Sequence, residues 1–223
     1  MPIPRNKDLF DLTATQAAAI LPGDDYPWMC LSLIKNFIDR LGETLSPERY
    51  EKAGEHIWIA KDAVVAPSAF IGDHTIIGER TEVRHCAFIR GSALVGADCV
   101  VGNSVEIKNA ILFDNVQTPH YNYVGDSILG YRSHMGAGSL TSNVKSDKRP
   151  VVIRDGEDAV ETGRKKCGAM VGDYVEVGCN AVLNPGTVIG RRAQVYPASS
   201  VRGVVPENCI YKSADRVVRK IEG

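Results

Sequence analysis

The sequence predicts a mainly β fold, a parallel β-helix built from short strands that turn a corner every six residues. From residue 59 to residue 112 the chain divides into nine consecutive six-residue blocks, and every block begins with isoleucine or valine. The nine first positions are Ile59, Val65, Ile71, Ile77, Val83, Ile89, Val95, Val101 and Ile107. A period of six matches neither a helical stripe nor the alternation of a simple strand. In a solenoid these side chains point into one core, and three blocks make one coil.

The repeat also predicts how the chain is divided. The fifth position of the blocks is mostly small, and glycine recurs where a corner conformation is needed. The pattern breaks at Phe113, resumes around Leu129, breaks again from Ser142 to about Met170, and then returns. We therefore predict a β-helix over residues 55–205 with an inserted loop at 142–170, preceded by a helical cap or linker over 1–54 and followed by a tail over 206–223.

Helical segments are expected at both ends. Residues 13–20 are helix-prone, and residues 25–41 combine an early Pro27 with apolar residues at helical spacing before Gly42. Residues 213–221 predict a short C-terminal helix. Because an open solenoid coil exposes an unpaired edge, we expect these segments to act as caps.

Composition narrows the function classes. The 223 residues include 26 Lys and Arg against 27 Asp and Glu, so no net positive charge favours nucleic acid or a membrane surface as partner. No apolar run has the length of a membrane helix, and the first residues lack the apolar core of a secretory signal. We expect a cytoplasmic location. The six cysteines are dispersed without a CxxC pair and are interpreted as small buried or half-buried thiols.

Chemistry-bearing residues collect where the repeat breaks. The first break, residues 113–123, holds a proline, a histidine and two tyrosines. The second, residues 142–170, carries seven Lys and Arg among five acidic residues. Since a long loop in a compact fold is usually functional, its cations are candidates to hold a phosphate.

The segment from Val105 to Asn143 resembles the acetyltransferase domain of the bifunctional N-acetylglucosamine-1-phosphate uridyltransferase/glucosamine-1-phosphate acetyltransferase family. That family has a K-N-A strand end, an H-x-x-Y-x-G-D segment and a G-A-G-T-x-T-x-N segment. Their counterparts here are residues 108–110, 120–126 and 136–143, with Ser139 in place of threonine. The similarity spans roughly residues 57–205 and implies a left-handed β-helix. The glycine-rich nucleotide loop of the family's pyrophosphorylase domain is not found, so we expect the acetyltransferase part without that domain.

The resemblance implies an acyl-CoA-dependent N-acyltransferase acting on an amino sugar, expected to be a hexosamine 1-phosphate, in sugar-nucleotide or cell-envelope precursor synthesis. Acetyl-CoA is the expected cosubstrate. The ammonium group must lose a proton before it attacks the thioester, and histidine is suited to take that proton near neutral pH. His120 matches the family's catalytic histidine and is the candidate base. No metal is expected, because a base and an oxyanion donor suffice for thioester aminolysis.

Other site residues follow from the same resemblance. The candidates for sugar-phosphate binding are Arg90, Lys108, Tyr123, Asn143, Lys166 and His134. The candidates for cofactor binding are Ala137, whose backbone amide would face the thioester, together with Cys179 and Pro197. Lys166 fits only if the extra loop residues precede it, and Lys148 is an equal claimant.

Several departures from the family pattern leave alternatives open. His134 stands where the family has asparagine, Val144 stands where it has tyrosine, and Cys179 and Pro197 occupy positions of small residues. A non-catalytic module that binds a sugar phosphate or sugar nucleotide, or that assembles with a nucleotidyltransferase, would show such a partial set. A zinc enzyme of the γ-carbonic anhydrase type is disfavoured, because none of the five histidines lie within five residues of each other. A homotrimer is expected, since the family's sites form between solenoids.

Overall fold

The computed structural model describes residues 3–221 and shows the predicted left-handed parallel β-helix, which is confirmed. Its helices are α1 Asn6–Leu9 and α2 Ile34–Gly42, with 3-10 segments at Leu12–Ala14, Ala18–Ile20 and Pro27–Ser32. The strands are β1 Tyr50–Gly54, β2 Ile57–Ala60, β3 Val64–Val65, β4 Phe70–Ile71, β5 Thr75–Ile77, β6 Glu82–Val83, β7 Phe88–Val95, β8 Val100–Asn103, β9 Glu106–Leu112, β10 Gln117–His120, β11 Tyr123–Leu129, β12 His134–Met135, β13 Leu140–Thr141, β14 Val152–Asp155, β15 Asp158–Glu161, β16 Ala169–Val171, β17 Glu176–Val177, β18 Val182–Leu183, β19 Thr187–Ile189, β20 Gln194–Val195, β21 Ser200–Val201, β22 Val204–Val205, β23 Cys209–Ser213 and β24 Arg216–Arg219. None of the helices within residues 3–221 has the length and apolar character needed to cross a bilayer.

The coils form a prism with three faces of parallel strands. Face 1 consists of β4, the first halves of β7, β9 and β11, and then β13, β18 and β21. Face 2 consists of β2, β5, the second halves of β7, β9 and β11, and then β16, β19 and β22. Face 3 consists of β3, β6, β8, β10, β12, β17, β20 and β23. Corner 1 joins face 3 to face 1, corner 2 joins face 1 to face 2, and corner 3 joins face 2 to face 3.

The first break in the sequence repeat is a shorter coil and not a loop. Ile71 pairs with Ile89 and Ile89 with Ile107, each 18 residues on, whereas Val124 follows Ile107 after 17. Strand β10 still pairs with β8 and β12 inside this coil. One residue is missing at corner 2 just after Ile107, and the next coil, from Val124 to Thr141, again spans 17 residues. The sequence period therefore shifts while the chain stays in the solenoid.

Aliphatic residues fill the prism as the repeat predicts. Six of the repeat's nine first positions are at most 1% exposed: Ile77, Val83, Ile89, Val95, Val101 and Ile107. Each such side chain contributes roughly 1.5–3 kcal/mol when it leaves water. The buried core thus fixes the corners of each coil. The positions of the side chains that point outward are fixed with them.

The N-terminal segment covers face 2. The sequence predicted only a cap at the end of the solenoid. Helix α2 packs on β5, β7 and β9, and the segment Pro27–Ser32 packs on β11. Side chains that point outward from face 2 are consequently buried. They are Trp58, Ile76, Leu94, Ile111, Ile128, Met170 and Val188. Faces 1 and 3 remain for other contacts.

The predicted helix over residues 13–20 is wrong, and the prediction over 25–41 holds only for its second half. Side-chain oxygens compete for the backbone in the first stretch, since Asp11 accepts from the Thr13 amide and Thr15 from the Ala17 amide. Two 3-10 turns result. In the second stretch the 3-10 segment Pro27–Ser32 precedes α2, which ends at Gly42 as predicted. A side chain at position 42 would collide with Trp58.

The predicted C-terminal helix is also wrong. Residues 209–219 form an antiparallel hairpin of β23 and β24, and β23 continues face 3 by pairing with β20. A strand satisfies the open edge of the last coil directly, whereas a helix could only cover it. At the other end, β1 pairs with β2 in the same antiparallel way.

The inserted loop leaves the solenoid at corner 2 and forms a hairpin of β14 and β15. Val151 and Ile153 are buried and lie against Gly186, and the Arg154 carbonyl lies against Gly203. Both glycines have positive φ, 79° and 72°. The hairpin is therefore docked along the later coils.

Replacing Gly186 by alanine is expected to loosen this hairpin. A β-carbon there would lie 2.7 Å from Val151 Cγ1, which adds about 1–3 kcal/mol of overpacking to the roughly 1–2 kcal/mol of a left-handed alanine. Gly156→Ala is the matched control, since Gly156 has φ +57 with open space around it. Urea unfolding and limited proteolysis within residues 142–168 measure both variants. Equal losses in the two variants would contradict the docking.

Candidate functional site

Corner 1 carries the candidate base and all three candidate cofactor residues in one column. The carbonyl of His120 accepts from the Gly138 amide at 3.0 Å, that of Ala137 from Asn180 at 2.8 Å, and that of Cys179 from Ala198 at 2.8 Å. His120, Ala137, Cys179 and Pro197 therefore occupy equivalent positions in successive coils, about 4.8 Å apart. The side chain of His120 is exposed, as are Cys179 and Pro197. Residues far apart in sequence thus form a straight edge.

A buried asparagine fixes this edge near His120. The Asn122 side chain accepts from the His120 amide at 3.2 Å and donates to the carbonyls of Gly136 at 2.8 Å and Ser139 at 3.1 Å. Asn122 is 2% exposed. The backbone of His120 is thereby held to the coil that carries Ala137. Sequence reasoning did not single out Asn122, although it lies inside the matched segment 120–126.

A second group of candidates lies toward corner 2. Arg90 and Lys108 line an open groove of about 490 Å³ together with Lys35 and His74, and Asp73 is the acidic residue in its wall. Arg90 donates to Glu106 at 2.8 Å, and about half of its side chain is exposed. The groove thus offers several cationic donors to an anion such as a phosphate.

The carboxylate of Asp126 organises this second group. It is 3% exposed and accepts from Lys108 Nζ at 3.3 Å, Asn109 Nδ2 at 2.8 Å and Asn143 Nδ2 at 2.6 Å. Asn143 Nδ2 also donates to the Tyr123 hydroxyl at 3.1 Å. Three of the predicted residues, Lys108, Tyr123 and Asn143, are therefore joined through one buried acid. The motif quoted for the resemblance ends in this aspartate, which is the sequence signal that could have identified it.

The Tyr123 hydroxyl is kept protonated by its surroundings. Burial raises the pKa of this phenol, and the carboxylates of Asp126 and Glu106 raise it further. The hydroxyl can therefore donate a hydrogen bond at neutral pH while it accepts from Asn143. Buried thiols are unreactive for a similar reason, since burial raises the pKa of Cys30, Cys99 and Cys167 to about 12.

His134 lies with the cofactor candidates and not with the sugar candidates. Its Nδ1 is 2.8 Å from Glu176 Oε2. Both residues line a shallow groove of about 280 Å³ on face 3, together with Cys179, Tyr196 and Pro197. The structure thus places His134 beside the residues expected to contact acetyl-CoA.

The two lysine candidates of the inserted loop differ in position. Lys166 forms an isolated bridge with Val144, next to Cys167, whose amide donates to the Asn143 carbonyl at 2.9 Å. Lys148 lies in an exposed turn with φ 56°. The base of the loop therefore brings Lys166 near the Asp126 group, while the hairpin itself runs along the later coils.

The two groups share face 1. His120 and Tyr123 are three residues apart in one coil, so roughly 10 Å of chain separates their backbones. Lys108 and Arg90 lie one and two coils before Tyr123. Apart from His134, which lies on face 3, the predicted residues therefore form one strip from corner 1 to corner 2, with the cofactor candidates continuing along corner 1.

The sequence of this chain is similar to those of several known proteins. The C-terminal half of the chain matches bifunctional GlmU proteins. A bifunctional sugar-1-phosphate nucleotidylyltransferase/acetyltransferase of Sulfurisphaera tokodaii is 34% identical over 94 residues, which cover 42% of this chain and 23% of that protein. The bifunctional protein GlmU of Methanococcus maripaludis is 33% identical over 114 residues, covering 51% of this chain and 28% of that protein. The chain thus spans about a quarter of the length of these curated relatives. No protein-family model matches it.

Solved structures with a similar fold include the acetyltransferase domain of PglB from Neisseria gonorrhoeae in complex with acetyl coenzyme A. It is 13% identical with a TM-score of 0.33, and the match covers 74% of this chain and 57% of that one. The UDP-N-acetylglucosamine O-acyltransferase LpxA from Moraxella catarrhalis is 14% identical with a TM-score of 0.32, covering 74% and 72%. The resemblance read from the motifs is confirmed by the sequence relatives: this chain is a hexapeptide-repeat β-helix homologous, over about half its length, to the bifunctional GlmU proteins.

Proposed function

We propose that this chain is an acyl-CoA-dependent N-acyltransferase that acts on an amino sugar phosphate, with a hexosamine 1-phosphate as the expected acceptor. The observation that carries the proposal is the strip on face 1. It joins an exposed histidine, a column of cofactor candidates and a cationic groove. The relatives named as nucleotidylyltransferase/acetyltransferases support the same class of reaction.

Each part of the strip has a role in this reaction. Arg90 and Lys108 hold the phosphate, and Tyr123 and Asn143 contact the sugar. His120 takes a proton from the ammonium group, and the freed amine attacks the thioester carbon of acetyl-CoA. The backbone amide of Ala137 is the candidate donor to the developing oxyanion. The intermediate then collapses, the carbon–sulfur bond breaks, and CoA leaves as a thiolate that takes up the second proton, which the nitrogen loses as it becomes the amide.

We further propose that the working form is a homotrimer. Face 2 is covered by the chain's own N-terminal segment, so only faces 1 and 3 are open to a second subunit. Phe70 and Phe88 pack edge to face on face 1 with ring centroids 5.5 Å apart, and they are 58% and 43% exposed. Such adjacent exposed aromatic rings are typical of surfaces that pack against a partner.

A second candidate function is a non-catalytic module that binds a sugar phosphate or sugar nucleotide. One observation favours it. Within residues 3–221 the His120 imidazole has no hydrogen-bond partner that would orient it as a base. Catalytic hydrogen bonds often form only in the substrate complex or across a subunit contact, so the acyltransferase remains the first candidate.

Thermal unfolding with ligands tests the two-part site. At 100 times Kd each ligand should stabilise by about 2.7 kcal/mol, which corresponds to a rise in Tm of about 5–10 °C. Arg90→Ala should lose the shift caused by glucosamine 1-phosphate and keep that caused by acetyl-CoA. Cys179→Trp, which fills the groove on face 3, should do the reverse.

Arg84→Ala provides the matched control, because Arg84 also pairs with a glutamate, Glu82, at 2.8 Å but does not line the groove. It should keep both shifts. The proposal is contradicted if neither ligand stabilises the wild type, or if Arg84→Ala and Arg90→Ala lose the sugar-phosphate shift equally.

A further inference from the structure

A cluster of two histidines and one aspartate lies beside the cationic groove, which one of its histidines, His74, also lines. Asp39 belongs to α2, His56 to the turn between β1 and β2, and His74 to corner 2 just before β5. His56 and His74 are 18 residues apart, one full coil, so their rings stack with centroids 4.4 Å apart. Coil geometry thus brings together residues that their sequence spacing keeps apart.

The donor atoms of the three side chains converge. Asp39 Oδ1 is 2.7 Å from His74 Nδ1 and 3.1 Å from His56 Nδ1, and the ligand atoms of the cluster all lie within 4.8 Å of one another. A zinc ion with bonds of about 2.0–2.2 Å holds its ligand atoms roughly 3.3 Å apart. Small side-chain rotations would open the observed distances to that value.

The chemistry of the cluster suits a transition metal. Imidazole nitrogen and carboxylate oxygen are the ligands that Zn²⁺ prefers, and two histidines with one carboxylate form a three-ligand set with an open fourth position. The side chains are 16–36% exposed, so an ion can enter. Glu55 Oε1 is 3.8 Å from His56 Nε2 and adds negative charge on the far side. Lys35 lines the groove next to His74 and is the opposing positive group.

We propose that Asp39, His56 and His74 bind one divalent transition-metal ion, with Zn²⁺ as the probe ion. The ion fastens α2, which covers face 2, to the first two coils of the solenoid. Its fourth position is left for water or another small ligand. His74 also lines the groove of Arg90 and Lys108, whereas Asp39 and His56 do not, so substitutions at Asp39 and His56 test the metal site apart from the proposed acyl transfer.

Isothermal titration of the full-length protein, stripped with EDTA, tests the site with Zn²⁺. The wild type should bind one Zn²⁺ per chain and unfold at a higher temperature when it is loaded. His56→Ala and Asp39→Asn should each weaken Zn²⁺ binding by more than about 100-fold, since loss of an outer-shell partner alone costs up to that factor.

His85→Ala is the matched control, because His85 is exposed, its Nδ1 lies 2.6 Å from Ser68 Oγ, and it belongs to no group of three metal-ligating side chains within residues 3–221. It should bind Zn²⁺ like the wild type. Circular dichroism verifies that each variant is folded. The proposal is overturned if the wild type binds no Zn²⁺, or if His56→Ala and His85→Ala bind it with equal affinity.

Discussion

Replacing His120 by alanine is expected to lower the rate of thiol release from acetyl-CoA by about 10²–10⁴-fold, the range typical of losing a positioned base. The variant should unfold at the same temperature as the wild type. The His120 side chain is exposed, and the backbone contacts of His120 to Asn122 and Gly138 do not depend on the imidazole. The KM for the amino sugar should change little, because Arg90 and Lys108, which we propose hold the phosphate, lie at the other end of the strip.

Substitution of a histidine in an earlier coil is the control that distinguishes loss of the base from a general loss of charge. His85 is exposed near the same corner, so His85→Ala should keep wild-type activity. Assigning the base to His120 would be wrong if the two variants lost activity to the same degree, or if His120→Ala turned over acetyl-CoA like the wild type.

Replacing Asp126 by alanine is expected to destabilise the chain by roughly 3–5 kcal/mol, the range for breaking a buried ion pair. The substitution leaves Lys108, Asn109 and Asn143 without their shared acceptor. It also places alanine at φ 49°, a conformation that disfavours a β-carbon. Asp126→Asn should cost less, since asparagine tolerates this conformation and keeps one acceptor oxygen.

Asp98 is the matched control for the acid. It also has positive φ, 56°, and also pairs with a cation, Arg80, at 2.7 Å, but 37% of its side chain is exposed. Its ion pair should contribute no more than about 1 kcal/mol. Urea unfolding compares the variants, and steady-state kinetics of Asp126→Asn should show a raised KM for the sugar. Equal stability losses in Asp126→Ala and Asp98→Ala would mean that Asp126 does not organise the site.

The sequence repeat predicted the solenoid because each inward position is set by local geometry alone. Nine aliphatic residues at a spacing of six can be buried together only if the chain turns a corner in every block. The repeat does not predict the coil that holds His120. One residue is missing there, so the spacing between equivalent residues of successive coils falls from 18 to 17. A break in the pattern was therefore interpreted as a departure from the fold, although β10 lies in face 3.

The ends were predicted less well because tertiary contacts decide them. Ile76 and Leu94 point outward from face 2, and their burial depends on where the N-terminal segment lies. Local propensity cannot show that. Residues 216–219, Arg-Val-Val-Arg, form a strand because the edge of the last coil offers hydrogen bonds to β23 and through it to β24. A helical interpretation of the tail ignored that edge.

The motifs predicted which candidate residues share an edge. The positions that depend on side-chain contacts between coils could not be predicted from the sequence. His120 and Ala137 share one edge as their motif positions imply, whereas His134 lies on face 3 beside Glu176. The role of Asp126 as shared acceptor requires the side-chain contacts across coils. Short spacings between possible metal ligands do not predict the pair of His56 and His74, because a β-helix makes neighbours of residues that are 18 apart in sequence.

The most direct test of the proposed acyl transfer is free thiol release from acetyl-CoA by the wild-type protein, measured with glucosamine 1-phosphate and a panel of other amino sugars. We expect thiol release that requires an amino sugar and is fastest with a phosphorylated one, because Arg90 and Lys108 line the groove at that end of the strip. Thiol release that no amino sugar raises above the rate without sugar would contradict the acyltransferase and favour the binding module.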